Sequence, residues 1–232
     1  MNGVFITGTD TGVGKTFIGT HLARTLTAQG ITVIPRKPIE SGCALVDGEL
    51  VPEDAMLLQQ ASQYEGSLSE ICPYRFEPPI SPVRAAHLAN KVLTTDQLVK
   101  NCMEGKDDGF LLVEGAGGFY SPLSEDGLNA DLATALQLPV LLVTRDVLGA
   151  LNQVLLNVEA IKVRGLHLVG VVLNQTDDSH DQRMDNAEDL RDMLNVPVFV
   201  NGYSEEKESA IPDELVDRVL NQDDRRRATR IA

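Results

Sequence analysis

A glycine-rich segment near the N-terminus, GTDTGVGKT at residues 8–16, constrains the fold more than any other feature of the chain. An apolar run at residues 4–6 precedes it, and a helical pattern at residues 16–28 follows it. The order of strand, glycine turn and helix is typical of a phosphate-binding loop, in which backbone N–H groups and the helix N-terminus hold phosphate oxygens. In such a loop Lys15 contacts the β- and γ-phosphates, and the Thr16 hydroxyl ligates Mg²⁺. The segment therefore predicts nucleotide binding.

Short β-branched runs alternate with longer helical patterns along the rest of the chain. Several of these runs are apolar throughout, which is typical of parallel strands that are covered on both faces. The alternation predicts an α/β fold, a single domain with a doubly wound, mostly parallel sheet and functional groups at the carboxyl ends of its strands. The predicted strands are residues 4–7, 32–36, 110–114, 140–144, 168–173 and 198–200. The predicted helices are residues 16–28, 54–63, 95–103, 130–136, 149–163 and 181–194.

The predicted domain has its core at about residues 1–203, with a C-terminal helix and tail at residues 204–232. Within the core, residues 41–84 are the least regular and contain five prolines, so we expect loops that fold over the site. Near the C-terminus, residues 213–220 predict a short helix that is followed by a frayed tail.

Charge and cysteine content limit the function classes. The 232-residue chain has a formal net charge of −14, which argues against nucleic-acid binding, because that requires a basic face. Cys43, Cys72 and Cys102 are far apart and predict reduced thiols in a cytoplasmic protein. No secretory signal is evident, and apolar stretches such as residues 138–143 have strand length, so no membrane span is expected.

A second glycine-rich segment, VEGAGG at residues 113–118, follows the buried-strand pattern that begins at residue 110. A carboxylate at a strand tip beside a phosphate-binding loop is placed to ligate Mg²⁺, directly or through water. Glu114 could instead cap a neighbouring loop. The glycines after it would let the backbone approach a substrate closely.

Three further polar residues each have two interpretations. Asp54 precedes an apolar helical run, so it is either a helix N-cap or a metal ligand. Lys37 closes the second strand; it is either solvated or, if its strand neighbours the first, directed at the mouth of the phosphate-binding loop. Asn174 ends another strand and is either a turn residue or a contact to a nucleotide base.

Seven motifs occur in order along the chain and together resemble the dethiobiotin synthetase family. They are GTDTxVGKT at residues 8–16, KPIxSG at 37–42, DA at 54–55, PYxF at 73–76, SP at 81–82, VEGAGG at 113–118 and LGxxN at 148–152. The resemblance implies an ATP-dependent cyclo-ligase of biotin biosynthesis. Such an enzyme closes a cyclic urea on 7,8-diaminononanoate (7,8-diaminopelargonate) with CO₂, through a carbamate and a carbamic–phosphoric mixed anhydride, and releases ADP and phosphate.

The resemblance also implies roles for individual residues. Lys15 and Lys37 would be catalytic, and Mg²⁺ would be held by Thr16, Asp54 and Glu114. The implied nucleotide and cofactor contacts are Gly12, Val13, Gly14, Lys15, Thr16, Phe17, Asp54, Glu114, Gly115, Ala116, Gly117 and Asn174. The implied substrate contacts are Thr11, Lys37, Ser41, Gly118, Gly149 and Asn152.

The family resemblance further implies a homodimer with its substrate bound across the interface. The tail carboxylate of the substrate would meet the helix start at residues 149–152 of the other subunit. Two rival interpretations share the fold: a partitioning ATPase switch and an amide-forming enzyme of cobalamin synthesis. The first tends to have an additional lysine near the start of its phosphate-binding loop, which is absent here, and the second requires a glutaminase domain.

Overall fold

The computed structural model describes residues 2–105, 109–178, 180–181, 183–203 and 211–221. A central sheet of six parallel strands confirms the predicted α/β fold, and each strand coincides with a predicted one to within a few residues. Numbered in chain order, these strands are β1 (Gly3–Gly8), β2 (Val33–Arg36), β7 (Phe110–Gly118), β10 (Val140–Arg145), β11 (Leu168–Asn174) and β12 (Val198–Asn201). Their spatial order is β12-β11-β10-β1-β7-β2.

The position of β2 differs from the expectation. It pairs with β7 and not with β1, so the prediction that the strand before Lys37 neighbours the first strand is wrong. The nine-residue β7 is buried over its first six positions and takes the interior place, which leaves the four-residue β2 at the edge. The chain after β2 therefore reaches the phosphate-binding loop across the tip of β7.

The region of residues 41–84 contains more regular structure than the predicted loops. Strand β3 (Ile39–Ser41) pairs with β6 (Tyr74–Phe76), and β4 (Ala44–Val46) forms a hairpin with β5 (Glu49–Val51). Strands of three residues are too short to show the alternation that identifies a strand. The remaining short elements are α3 (Leu68–Ile71), α4 (Pro82–Leu88), β8 (Pro122–Ser124) and β9 (Gly127–Leu128).

The longer helices follow the predicted pattern with one correction. They are α1 (Lys15–Ala28), α2 (Glu53–Ser62), α5 (Thr95–Met103), α6 (Asn129–Leu136), α7 (Ala150–Val163), α8 (Asn186–Met193) and α9 (Asp213–Leu220). The predicted start of α8 at residue 181 is wrong, because the Asp185 carboxylate accepts the N–H of Glu188 at 2.9 Å and caps the helix there. The predicted tail after α9 lies outside the described residues.

Two apolar clusters cover the two faces of the sheet. Successive residues of β1 alternate between them: Phe5 belongs to the cluster that contains residues of α5, α6, α7 and α8, whereas Val4 and Ile6 belong to the cluster that contains residues of α1, α2 and α9. Both faces are thus closed to water, and the carboxyl edge of the strands is left for chemistry. Within the described residues, no helix is both long enough and apolar enough to cross a membrane.

Candidate active site at the phosphate-binding loop

The loop between β1 and α1 has the backbone that its glycines permit. Gly12 and Gly14 have φ angles of 72° and 94°, in the left-handed region that favours glycine. A Cβ atom on Gly14 would lie 2.0 Å from Nδ2 of Asn174, so a side chain there would displace the tip of β11. Helix α1 begins directly after Gly14, which makes its N-terminal N–H groups available to an anion.

Thr9 stands where the common motif has a glycine, and the structure accommodates it. Its N–H donates to the carbonyl of Val143 at 3.0 Å, and its hydroxyl is hydrogen-bonded to that of Thr144 at 2.9 Å. Gly8 allows the close approach instead, because a Cβ atom there would lie 2.7 Å from Cγ2 of Val13. The loop is therefore tied to β10 through Thr9 while Gly8 leaves it room to turn.

Four elements bring a lysine, two carboxylates and a hydroxyl together beside this loop. Nζ of Lys37, just after β2, lies 2.5 Å from Oε1 of Glu114 and 2.8 Å from Oδ2 of Asp54. Glu114 is at the fifth position of β7, and Asp54 is in the first turn of α2. Thr16, the second residue of α1, donates its hydroxyl to Oε1 of Glu114 at 2.9 Å. Lys37 and Glu114 are both buried.

The buried charges shift one another's pKa values. Burial by itself lowers the pKa of Lys37, but Glu114 and Asp54 outweigh it and raise that pKa above its usual range. Burial raises the pKa of Glu114 although Lys37 opposes the change, whereas Lys37 overcomes burial and lowers the pKa of Asp54. Burial, helped by Lys37, lowers the pKa of Lys15 to about 8. Lys37 is consequently a fixed cation at neutral pH and not a proton acceptor.

The oxygen atoms of this cluster fit a magnesium ion. Oε2 of Glu114 is buried and has no hydrogen-bond partner among the described residues, so one oxygen is available for a ligand. Mg²⁺ prefers carboxylate, hydroxyl, phosphate and water oxygens, and proteins commonly supply only one or two carboxylates to it. Residues 2–105, 109–178, 180–181, 183–203 and 211–221 contain no metal-binding group of three or more His, Cys, Asp or Glu side chains. Thr16, Asp54 and Glu114 could supply such a smaller set of oxygen ligands to a nucleotide-bound Mg²⁺.

A cavity of about 730 Å³ opens at this edge of the sheet. Most of the residues that sequence reasoning assigned to the site line it: Thr11, Gly12, Gly14, Lys15, Thr16, Lys37, Ser41, Asp54, Glu114, Ala116 and Gly117. Others do not line it: Val13, Phe17, Gly115, Gly118, Asn174, Gly149 and Asn152. Gly118 is buried and packs closely against the phosphate-binding loop, since a Cβ atom there would be 2.9 Å from the carbonyl oxygen of Thr9.

Asn174 lines a smaller neighbouring pocket of about 170 Å³ and is engaged with the loop. Its Nδ2 donates to the carbonyl of Val13 at 2.9 Å, and its Oδ1 accepts from Nδ2 of Asn201 at 2.6 Å. Asn174 therefore links the phosphate-binding loop to β11 and β12 through these two hydrogen bonds. The sequence suggested that Asn174 is either a turn residue or a contact to a nucleotide base. Neither interpretation predicts its hydrogen bonds to Val13 and Asn201.

Two residues that sequence reasoning missed organise the site. Glu40 lines the cavity, and its carboxylate accepts the N–H groups of Asp54 at 3.0 Å and Ala55 at 3.2 Å. Burial and the nearby Asp54 raise the pKa of Glu40 to about 7. Asn129 is fully buried, and its amide donates to the carbonyls of Ala116 at 2.7 Å and Gly118 at 3.0 Å, which fixes the glycine-rich end of β7. Both act over long sequence separations, which a local pattern does not reveal.

Comparisons with known proteins identify the family to which the chain is related. Residues 2–201 match the family described as an AAA domain. The ATP-dependent dethiobiotin synthetase of Ruthia magnifica is 38% identical over 200 residues, which cover 86% of this chain and 91% of that protein. The corresponding protein of Anaeromyxobacter dehalogenans is 43% identical over 182 residues, or 78% of this chain and 80% of that protein. These matches confirm the resemblance that the seven motifs indicated.

Among solved structures, a ParA family ATPase from Chlorobium tepidum has a TM-score of 0.52 and covers 96% of this chain and 98% of that chain. At 13% identity this likeness concerns the fold alone. The fold is thus shared with a protein of low sequence identity.

Proposed function

The chain belongs to the ATP-dependent dethiobiotin synthetase family, and from that premise we propose how its residues close the cyclic urea of dethiobiotin. The enzyme is an ATP-dependent ligase of biotin biosynthesis that acts on small molecules. Its proposed substrates are 7,8-diaminononanoate, CO₂ and ATP. The observation that carries the site assignment is the contact of the Lys37 ammonium with both the Asp54 and the Glu114 carboxylates beside the phosphate-binding loop.

The electrostatic problem of the reaction explains the two lysines. One substrate amine captures CO₂ as a carbamate and loses a proton, and the carbamate oxygen then attacks the γ-phosphorus of ATP and displaces ADP. Both reactants are anions, so a cation must lie between them. Lys15 would contact the phosphates, while the permanently charged Lys37 would neutralise the carbamate.

The second half of the reaction makes smaller demands on the protein. The free amine attacks the carbonyl carbon of the mixed anhydride, phosphate leaves, and the amine proton is lost as the ring closes. This step is intramolecular, so the protein contributes mainly alignment and exclusion of water. Thr11, Ser41 and Gly117 line the cavity where the reacting end of the diamine would lie.

Thr16, Asp54 and Glu114 are the proposed ligands of Mg²⁺, which would neutralise charge on the β- and γ-phosphates. The unpartnered Oε2 atom of Glu114 supports this assignment. Backbone N–H groups of Gly12, Val13 and Gly14 would hold the phosphates, and Asn174 would contact the adenine in addition to holding the loop.

A homodimer with substrate bound at the interface is supported by the face of α7 and the turn before it. Leu148 is 91% exposed and Leu156 is 60% exposed, which is unusual for large apolar side chains on one segment. Gly149 begins the helix with a φ of 92°, and Asn152 is exposed in its first turn. We propose that this face meets a second copy and that the N-terminus of α7 receives the substrate tail carboxylate of that copy.

The domain boundaries and location are also proposals. Residues 1–203 would be the catalytic core, and α9 would complete one face of it through Leu215, Val216 and Val219, which are buried in the cluster around α1. The three cysteines are buried and free of disulfides, which supports a reducing, cytoplasmic environment.

The test is ADP release from Mg·ATP in CO₂-equilibrated buffer, with and without 7,8-diaminononanoate, while the organic product is followed by mass. ADP release that depends on the diamine, with one cyclic urea formed per ADP, is the expected result. ADP release at the same rate with and without the diamine would overturn the proposal and favour an ATPase switch.

A further inference from the structure

We propose that Glu40 is a positioning residue for the divalent-cation site, because its carboxylate anchors the first turn of α2 and so fixes Asp54 beside the phosphate-binding loop. This proposal rests on the proposed role of Asp54 as a metal ligand. It gives a function to a residue for which the proposed function assigns no contact with phosphate, metal or diamine.

The start of α2 lacks a local cap. Its N-cap residue is Pro52, whose side chain has no hydrogen-bonding atom, and no side-chain cap is present there. The first-turn N–H groups of a helix need partners from elsewhere. Glu40 supplies them across fourteen positions of sequence, with Oε1 accepting from Asp54 at 3.0 Å and Oε2 from Ala55 at 3.2 Å. An anion at this end of a helix is also favoured by the helix dipole.

Asp54 is consequently held from two sides by one short segment of chain. Glu40 holds its backbone N–H, and Lys37, three residues earlier, pairs with its carboxylate Oδ2 at 2.8 Å. The Glu40 side chain belongs to β3, which is fixed in turn by its pairing with β6. Only 6% of Glu40 is exposed, so both hydrogen bonds are largely shielded from water. Substitution of partners that orient metal ligands typically lowers metal affinity about 10–100-fold.

Charge alone could produce a similar effect, and the chain offers a control for it. Glu53 lies in the same first turn of α2, is exposed, and has the same formal charge as Glu40. Glu53→Gln removes a negative charge near the site without touching the two hydrogen bonds. Glu40→Asp does the reverse, since it keeps the charge but shortens the reach of the carboxylate by one methylene.

The experiment measures Mn²⁺ binding to the protein–ADP complex at pH 8, by electron paramagnetic resonance of the free ion. We expect Glu40→Gln to weaken Mn²⁺ binding about tenfold, as is typical of residues that orient metal ligands. Glu40→Asp should also weaken Mn²⁺ binding, while the Mn²⁺ affinity of Glu53→Gln should stay within about twofold of that of wild type. ADP affinity in EDTA should be unchanged in all three variants, which a general loss of structure would not allow.

A double-mutant cycle identifies the route of the effect. If Glu40 acts through Asp54, Glu40→Gln should weaken Mn²⁺ binding little further in an Asp54→Asn background. Full additivity, wild-type affinity in Glu40→Asp, or an equal loss in Glu53→Gln would overturn the positioning role. Wild-type Mn²⁺ affinity in Asp54→Asn alone would instead overturn the metal-ligand assignment, so the two failures are distinguishable.

Discussion

Replacing Lys37 by Met should destabilise the folded protein, apart from any effect on catalysis. The change keeps most of the side-chain volume but leaves the carboxylates of Glu114 and Asp54 without their shared cation. Removing one partner of a buried ion pair typically costs about 3–5 kcal/mol, because the remaining charge stays buried.

Protonation of Glu114 limits how much stability the substitution can remove. Glu114 is fully buried, and once Lys37 is gone it can avoid an uncompensated charge by binding a proton. From its ordinary pKa of 4.5, binding a proton at pH 7 costs about 1.36 kcal/mol per pH unit, or about 3 kcal/mol in all. For a chain of this size, that corresponds to a fall of about 6–12 °C in the melting temperature.

The pH dependence of the deficit has a defined sign. Burial raises the folded-state pKa of Glu114 in both proteins, and further in the variant because the variant lacks the opposing charge of Lys37. The variant therefore loses stability relative to wild type as pH rises beyond 4.5. At pH 5 the deficit should shrink to at most about 0.7 kcal/mol. Thermal and urea unfolding in EDTA, followed by circular dichroism at pH 5 and pH 7, measure both values.

Lys15→Met is the matched control. The Nζ atom of Lys15 donates to the carbonyl oxygen of Asp10 and makes no ion pair within 4 Å in the described structure, and burial lowers its pKa to about 8. Its removal leaves no carboxylate without a partner, so stability should be unchanged or higher. If Lys37→Met melts within about 2 °C of wild type, or if the melting temperatures of both variants fall equally, Lys37 does not stabilise the fold through its buried ion pairs.

Three further predictions concern nucleotide, substrate and assembly. Asn174→Ala should weaken ADP binding about tenfold in calorimetry, because the carbonyl of Val13 loses its donor; unchanged affinity would contradict the tie to the loop. Asn152→Ala should raise the KM for the diamine while leaving the KM for ATP unchanged in steady-state kinetics, and the opposite pattern would remove its substrate role. Leu156→Asp should convert the proposed dimer to a monomer in analytical ultracentrifugation, whereas a monomeric wild type would refute the interface.

The sequence contained enough to predict the sheet but not its complete order. The strands of the central sheet are continuous apolar runs between helical patterns, and those patterns are local. The place of β2 beside β7 depends on which strand can be buried on both faces, and this is a property of the assembled sheet. The short strands around residues 39–51 have too few residues to show any period.

The sequence predicted the site residues that lie within one motif. It did not predict the residues that only the folded chain brings together. Lys15 and Thr16 follow from the glycine-rich loop alone. Lys37 reaches the site as expected, but over the tip of β7, with Glu114 as its nearest partner. Glu40 was the variable position of its motif, and its contact with α2 joins residues fourteen positions apart, so no spacing rule could have identified it.

The balance of formal charges around the cavity bears on how nucleotide arrives. Two lysines there face three carboxylates, those of Glu40, Asp54 and Glu114, on a chain whose net charge is −14. No long-range attraction therefore draws a polyphosphate inward, in contrast to proteins whose basic clefts accelerate encounter at low ionic strength. Capture must depend on short-range contacts with the loop after an unassisted collision. The association rate should accordingly vary little with added salt, or rise slightly as salt screens the repulsion between two acidic partners.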